Sequence, residues 1–392
     1  MREDALRDQD RRQEEFRRFA AEVVEPLAGD WDRAQAIPAS ALAALAQAGY
    51  FGAHLPEEFG GKGWDAATFG LLHEAVGRAD SALAGYLTVQ AMVSAVILKW
   101  GDPAQRRRWL PPLAEGRILA SFALTEPDGG SDLAALRTEF RRGGPHGGLL
   151  VEGDKQWISG GQTADVFLVF GRLEGQPIAG LVRRDSGGME VEPIRDMMGF
   201  RAAGLARLRF RGAPVAAEDV LGRPGFAFSH LAPVGLQWGR LSTAHSALGL
   251  LRACFEASTD YAATRRSSGS RVGDLGMIQS LIARMGADLE AARLLCASAA
   301  QAEAERRPES FRRAFLAKYF VSRAVTAAAA NAVQIHGAAG CQEDAPVARY
   351  YRNAKIMEII EGTTQVHETI LGQSFVDEGG AKRRRPAPPV PV

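Results

Sequence analysis

The chain has 392 residues, enough for two or three packed subdomains, each with its own core. Forty-seven Lys+Arg stand against 46 Asp+Glu, a net charge of +1, so no global field recruits nucleic acid or an anionic membrane, and a small-molecule or protein-borne substrate is favoured. Cys254, Cys296 and Cys341 form no CxxC pair and the seven histidines form no HxxxH or HExxH pair, so neither a disulfide framework nor a metal site is expected, and a reducing cytoplasm is the expected location.

The opening, MREDALRDQDRRQEEFRRF, is charged throughout and lacks the apolar core of a signal peptide; no membrane span is expected. From about residue 5 to 117 the pattern is helical, with PASALAALAQAGYF, DAATFGLLHEAVGRAD and DPAQRRRWLPPLAEG, the last begun by an Asp-Pro start signal. The texture changes at ILASFAL and stays changed to about residue 225, where short apolar runs such as VFLVF (166–170) are divided by Gly-rich turns. Here Ala206, Leu208 and Phe210 alternate with Arg207, Arg209 and Arg211, the period of a strand with one wet face.

After Pro224 the helical period returns. Leu241, Ala244, Leu248, Leu251 and Phe255 form one stripe, and Met277, Leu281, Met285, Leu289 and Cys296 a second. Phe315, Tyr319, Ala329 and Val333 form a third. The expected organisation is α+β: an N-terminal helical domain (1–117), a middle β-domain (118–225), a C-terminal helical bundle (226–375) and a disordered Pro-rich tail (376–392).

Several short stretches carry possible chemistry, each with a plainer reading beside it. In SFALTEPDGGSD (121–132), PDGG reads first as a turn. In KQWISGG (155–161), one Trp in a β-domain is as well explained by a core as by a cofactor wall. Arg240, behind Trp238 and Gly239, is placed at the opening of the first bundle helix, where an Arg ordinarily caps or faces solvent. QIHGAAG (334–340) ends a helix in a loop whose N–H groups suit a phosphate, or a simple C-cap. In IIEGTT (359–364), Glu361 follows two isoleucines expected to be buried and precedes a Gly that allows close backbone approach.

In their order and spacing, ALTEPDGGSD, KQWISGG, YAATRRSSG (261–269), QIHGAAG and RYYRNAKIMEIIEGTT (349–364) resemble the acyl-CoA dehydrogenase family of flavoenzymes, over roughly residues 10 to 373. The resemblance implies FAD as cofactor and that family's fold, with a middle β-barrel domain and a C-terminal four-helix bundle. It implies that Phe122, Leu124 and Thr125 line the flavin ring, that Trp157 covers an edge, and that Ser159 and Thr363 also face it. Arg265, Gln334, Gly337 and Gly340 are implied to serve the cofactor of a neighbouring subunit, hence a homotetramer or at least a homodimer. Glu361 matches the catalytic base, kept dry by Ile359 and Ile360, with Gly362 admitting a backbone donor to the thioester oxygen. Ser131 and Arg240 are matched to the substrate arm. Some relatives carry the base just before the bundle-opening Arg, where this chain has Gly239.

Departures accompany the match. The family's RxxFG becomes Arg265-Arg266-Ser267-Ser268-Gly269, and Gly276 stands where a Gln is usual, which implies a weaker hold on the far half of FAD. Asn353 replaces an Asp and removes one charge near Arg349 and Arg352. Leu236 and Gln237 replace a Phe and an Asp common in CoA-using members. GFRAAGLA (199–206), GRLSTAHSALGLLRAC (239–254) and AKIMEIIEG (354–362) look closer to the branch that oxidises glyceryl groups on acyl carrier proteins for polyketide extender units. The implied partners are an acyl thioester on CoA or a carrier protein, and electron-transfer flavoprotein or oxygen as electron acceptor. The alternatives are a flavin oxidase or monooxygenase of the same fold, and a non-catalytic thioester- or carrier-binding paralogue.

Overall fold

Three aspartates set the start of three helices. In a computed structural model that describes the backbone of residues 2–384 and the side chains of residues 9–378, Asp65, Asp80 and Asp102 each accept a hydrogen bond from the backbone N–H three residues on. Gln105 returns the bond to the Asp102 N–H at 2.8 Å, completing a capping box at the expected Asp-Pro signal. The N-terminal helices are α1 (Arg2–Phe19), α2 (Ala28–Ala34), α3 (Ala39–Gln47), α4 (Ala66–Ala79), α5 (Ser81–Trp100) and α6 (Pro103–Ala114).

Among the described residues, α5 alone is long and apolar enough to cross a membrane, because the run 81–98 carries no charge. The sequence therefore does contain a span-like segment. Its apolarity has a local cause: 89% of that segment is buried inside the protein, where α5 packs against α4, α6 and elements further along the chain.

The middle region is one eight-stranded sheet: β1 (Ala120–Ala123), β2 (Glu139–Arg142), β3 (Leu149–Ile158), β4 (Val166–Leu173), β5 (Gln176–Arg183), β6 (Met189–Pro193), β7 (Ala206–Val215) and β8 (Val220–Leu221). Its order is β6-β7-β3-β2-β4-β5-β8, with β1 joined in parallel to β4. The period of two in β7 has the expected sense. Ala206, Leu208 and Phe210 are fully buried, while Arg207, Arg209 and Arg211 reach Asp154 of β3 at 3.7, 4.0 and 3.4 Å. Between Lys155 and Ile158 the β3–β7 register slips, and Trp157 takes a left-handed φ of 62°. This irregularity turns the indole out of the ladder.

The C-terminal region contains α7 (Ala232–Thr264), a hairpin of β9 (Arg266–Ser267) and β10 (Ser270–Arg271), then α8 (Gly276–Ala304), α9 (Ser310–His336), α10 (Pro346–Met357) and α11 (Thr364–Arg384). Helix α7 is central: it packs on α4 and α5 from the first region and on α8 and α9 of its own, and so is buried on several sides. The fold class is the expected one. Three local expectations are corrected. Helix α7 starts at Ala232, after a π-helical turn at Ala227–Leu231, so Arg240 lies inside the helix and not at its opening. Met277, in the first turn of α8, is 80% exposed, because its side chain points away from the core that its neighbour Ile278 packs against, whereas Met285, Leu289 and Cys296 are buried as expected. Residues 376–384, read as part of the disordered tail, continue α11, and the Glu378 carboxylate meets Arg312 of α9 at 2.6 Å; residues 385–392 lie outside those described.

Candidate active site

A cavity of about 660 Å³ opens where the sheet meets the helices. From the sheet side Phe122, Leu124, Thr125, Ser131, Trp157 and Ser159 line it; from the helical side come Arg240, Glu361, Gly362 and Thr363. Every residue expected around the reacting centre therefore reaches one space. Arg265, Gln334, Gly337 and Gly340 do not. Arg265 ends α7 on the surface, Gln334 and Gly337 are exposed, and Gly340 is buried against Val333 and His336. These four are gathered at the other end of α7, where the Tyr261 ring stacks on His336 at 4.2 Å and its hydroxyl donates to the His336 carbonyl.

The sheet wall is fixed by a buried ion pair. Lys155 Nζ, fully buried, donates to Glu126 Oε1 at 2.8 Å and to the Leu124 carbonyl at 3.0 Å, and so anchors the strand end that carries Leu124 and Thr125. Glu126 also accepts from the Arg137 and Thr138 N–H groups and from the Thr138 hydroxyl. Burial opposes its ionisation, but Lys155 and these hydrogen bonds outweigh it and hold the carboxyl below its ordinary value.

Glu361 sits differently. It lies in the short loop between α10 and α11 with φ 54°, and Gly362 follows at φ 98°. A left-handed Glu costs about 1–3 kcal/mol unless its surroundings hold it there. Two buried groups do so: Lys318 Nζ of α9 donates to the Gly362 carbonyl at 2.6 Å, and His367 Nε2 of α11 lies 3.3 Å from the Glu361 carbonyl. The residue as a whole keeps some open surface, but its Oε2 is buried and has no hydrogen-bond partner. Burial raises its pKa to about 7, against the opposing charges of Arg240 and Lys318. Arg240 is itself buried over the Phe315 ring at 4.0 Å, with Nε and Nη1 unpartnered. The site thus holds a carboxylate close to two cations but neutralised by neither.

Gly239 has a steric role here. A Cβ on it would stand 2.2 Å from Glu361 Oε2, so positions 239 and 361 converge on one point in space and a side chain at 239 would displace this carboxylate. Ile359 and Ile360 both line the cavity, and Ile360 also packs against the core; Ile359 is 52% exposed, which corrects the expectation of burial, because the loop turns its apolar side chain into the open cleft. Asn353, read as a lost charge, uses its side-chain oxygen to accept from the Phe200 N–H at 2.8 Å. The two arginines beside it find carboxylates elsewhere, Arg352 on Asp32 and Arg349 near Asp80 at 3.9 Å. Lys318 and His367 were absent from the sequence reading. The one signal for Lys318 is a cation three residues from Phe315 and three from Val321, within an otherwise apolar helix face.

Sequence models of the acyl-CoA dehydrogenase N-terminal, middle and C-terminal domains match residues 7–117, 121–213 and 230–376. The chain belongs to the acyl-CoA dehydrogenase family. It is 32% identical to glutaryl-CoA dehydrogenase of Desulfococcus multivorans, covering 95% of this chain and 96% of that one. A solved glutaryl-CoA dehydrogenase of Mycobacterium smegmatis in complex with FADH2 is similar at TM-score 0.88 and 26% identity, covering 94% and 95% of the two chains. The FkbI protein, for biosynthesis of a methoxymalonyl extender unit of a polyketide, is similar at TM-score 0.85 and 31% identity, covering 93% and 99%. As a member of the family, the chain is an FAD-dependent oxidoreductase acting on acyl thioesters. The cavity suits such a cofactor on its own terms: a half-exposed indole and an unpartnered carboxylate oxygen lie on walls contributed by different regions.

Proposed function

We propose that the chain dehydrogenates an acyl thioester with Glu361 as the base. The α-hydrogen of a thioester is weakly acidic, and a carboxylate removes it only where poor hydration has raised its basicity. Unpartnered, buried Glu361 Oε2, with its pKa pushed up to about 7, is the observation that carries this reading. A bound flavin supplies the acceptor for the hydride leaving the β-carbon. Lys318 and His367 keep the base in its left-handed loop, Gly362 lets the backbone approach the thioester oxygen, and Arg240 supplies a positive field beside the developing enolate.

The finer reading is that the thioester is borne by an acyl carrier protein, a glyceryl group being one such substrate. Leu236 and Gln237 in place of the Phe and Asp expected of CoA users, and the likeness to FkbI, support it. We further propose that the enzyme works in the cytoplasm as a homotetramer or homodimer in which Arg265, Gln334, Gly337 and Gly340 serve a neighbour's cofactor. All four lie outside the cavity, and Arg265, Gln334 and Gly337 are exposed, which fits that role. Electron-transfer flavoprotein or oxygen would then reoxidise the enzyme.

Glu361→Gln tests the base. The variant is expected to retain yellow bound flavin yet lose bleaching by acyl thioester under anaerobic conditions by roughly 10²–10⁴-fold. Bleaching at the unmodified rate would remove Glu361 from the mechanism.

A further inference from the structure

The cavity changes character along its length. Helix α5 lines it through Ser81, Gly85, Thr88, Val89 and Met92, and α7 lines it through Leu236, Arg240, Thr243 and Ser246. Met92 Sδ is 3.0 Å from the point where a Cβ on Gly239 would stand, next to the Glu361 carboxylate, so Met92 and Gly239 mark the level of the base. At the other end, the Ser81 hydroxyl donates to the Gly77 carbonyl at 3.3 Å, and a Cβ on Gly77 would meet the Ser246 backbone at 2.6 Å. The two helices therefore run antiparallel past the cavity. Counting 1.5 Å per residue, Thr88 and Thr243 lie about 6 Å beyond the base and Ser246 about 10 Å beyond it.

Near the base the walls are apolar, with Met92, Val89 and Leu236. Further in they carry hydroxyls. Ser81, Thr88, Thr243 and Ser246 are 2, 7, 3 and 3% exposed. Thr88 donates to the Ala84 carbonyl and keeps lone pairs free, whereas Ser246 Oγ has no partner at all. A buried hydroxyl left unpaired is unfavourable by about 1–3 kcal/mol, so the wall is suited to a ligand that supplies the missing bond. Gly85 adds room, since a Cβ there would meet nothing within 4 Å. Charge is not on offer: among the described residues Arg240 is the one cation lining the cavity, and it stands at the base. Arg349, just past Ser81, does not line it and faces Asp80 at 3.9 Å.

We propose that this cavity accepts an acyl chain bearing a neutral hydroxyl, which is held at Thr243 and Ser246, and that it disfavours a chain ending in a carboxylate. The inference rests on the dehydrogenase reading above and replaces its glyceryl example with a longer hydroxylated chain, because glyceryl hydroxyls sit too close to the α-carbon to reach this depth. Three backbone bonds span about 3.6 Å when extended, so 6–10 Å places the hydroxyl about five to eight bonds past the carbon facing Glu361. A carboxylate at that depth would be desolvated without a counter-ion, which a hydroxyl avoids.

The test uses the flavin-loaded enzyme with pantetheine thioesters, the arm common to CoA and carrier protein. Hexanoyl, 6-hydroxyhexanoyl and adipyl thioesters are compared by anaerobic bleaching of the flavin, and the matching unreactive thioethers by calorimetric binding. The hydroxylated chain is expected to exceed hexanoyl by about three- to ten-fold in both readouts, with adipyl weakest. Ser246→Ala and the isosteric Thr243→Val are expected to erase that ratio. Equal or better handling of hexanoyl or adipyl by the unmodified enzyme overturns the inference, as does a ratio that survives both substitutions. If no thioester bleaches the flavin but the hydroxylated thioether still binds preferentially, and Ser246→Ala abolishes the preference, the dehydrogenase reading fails while the hydroxyl pocket stands. If neither bleaching nor preferential binding occurs, both fall.

Discussion

In the sheet, Glu126 meets Lys155 at 2.8 Å and also accepts from the Arg137 and Thr138 N–H groups and the Thr138 hydroxyl; in the bundle, Glu361 lies close enough to Lys318 to feel its charge, yet that lysine donates instead to the Gly362 carbonyl. Both lysines are fully buried, and burial draws both down to about 8, with the neighbouring carboxylate opposing the shift. The carboxylates diverge. Glu126 is held below its ordinary value, while burial takes Glu361 up to about 7. The same two residue types thus yield a satisfied structural pair where the hydrogen bonds run between the side chains, and an unpaired carboxyl with a raised pKa where the lysine's bond goes to the backbone that carries the acid.

This contrast predicts opposite responses to removing each acid. Glu126→Ala leaves Lys155 charged and buried without a counter-ion, and should destabilise the protein by about 3–5 kcal/mol in denaturant unfolding. A loss under about 1 kcal/mol would mean the pair is not structural. Glu361→Gln should act the other way. A group whose folded pKa is raised from 4.5 to about 7 favours the protonated folded state, so its penalty is absent below 4.5, grows between those values and is complete above 7. Gln removes the penalty, and the variant should gain on the order of 3 kcal/mol at pH 8 and nothing at pH 4. Glu126 has the reverse sign: its contribution is present above 4.5 and is lost as the pH falls through its lower folded value.

The sequence carried the helix–sheet–helix order because period and capping are local: Asp102-Pro103 and the alternation at 206–211 read directly. The contents of the cavity were legible through short stretches whose order and spacing match a family. What escaped depends on contacts between distant residues. Lys318 and Gly362 are separated by 44 positions, and nothing at either position names the other. Asn353 looked like a missing charge because its arginine neighbours are adjacent in sequence, yet Arg352 pairs with Asp32, 320 positions away. Ile359 was read as core because apolar residues usually are, and only the loop geometry turns it to the cleft. The hydroxyls of α5 and α7 were silent too, since small polar residues on a buried helix draw no notice until both helices face one space.

The most direct measurement is the ionisation of Glu361 itself, by infrared difference spectroscopy of the unmodified enzyme against Glu361→Gln across pH. The carboxyl signal specific to the unmodified enzyme should convert to carboxylate with a midpoint near pH 7. A midpoint at the ordinary 4.5 would show a hydrated or fully paired carboxylate and contradict the account.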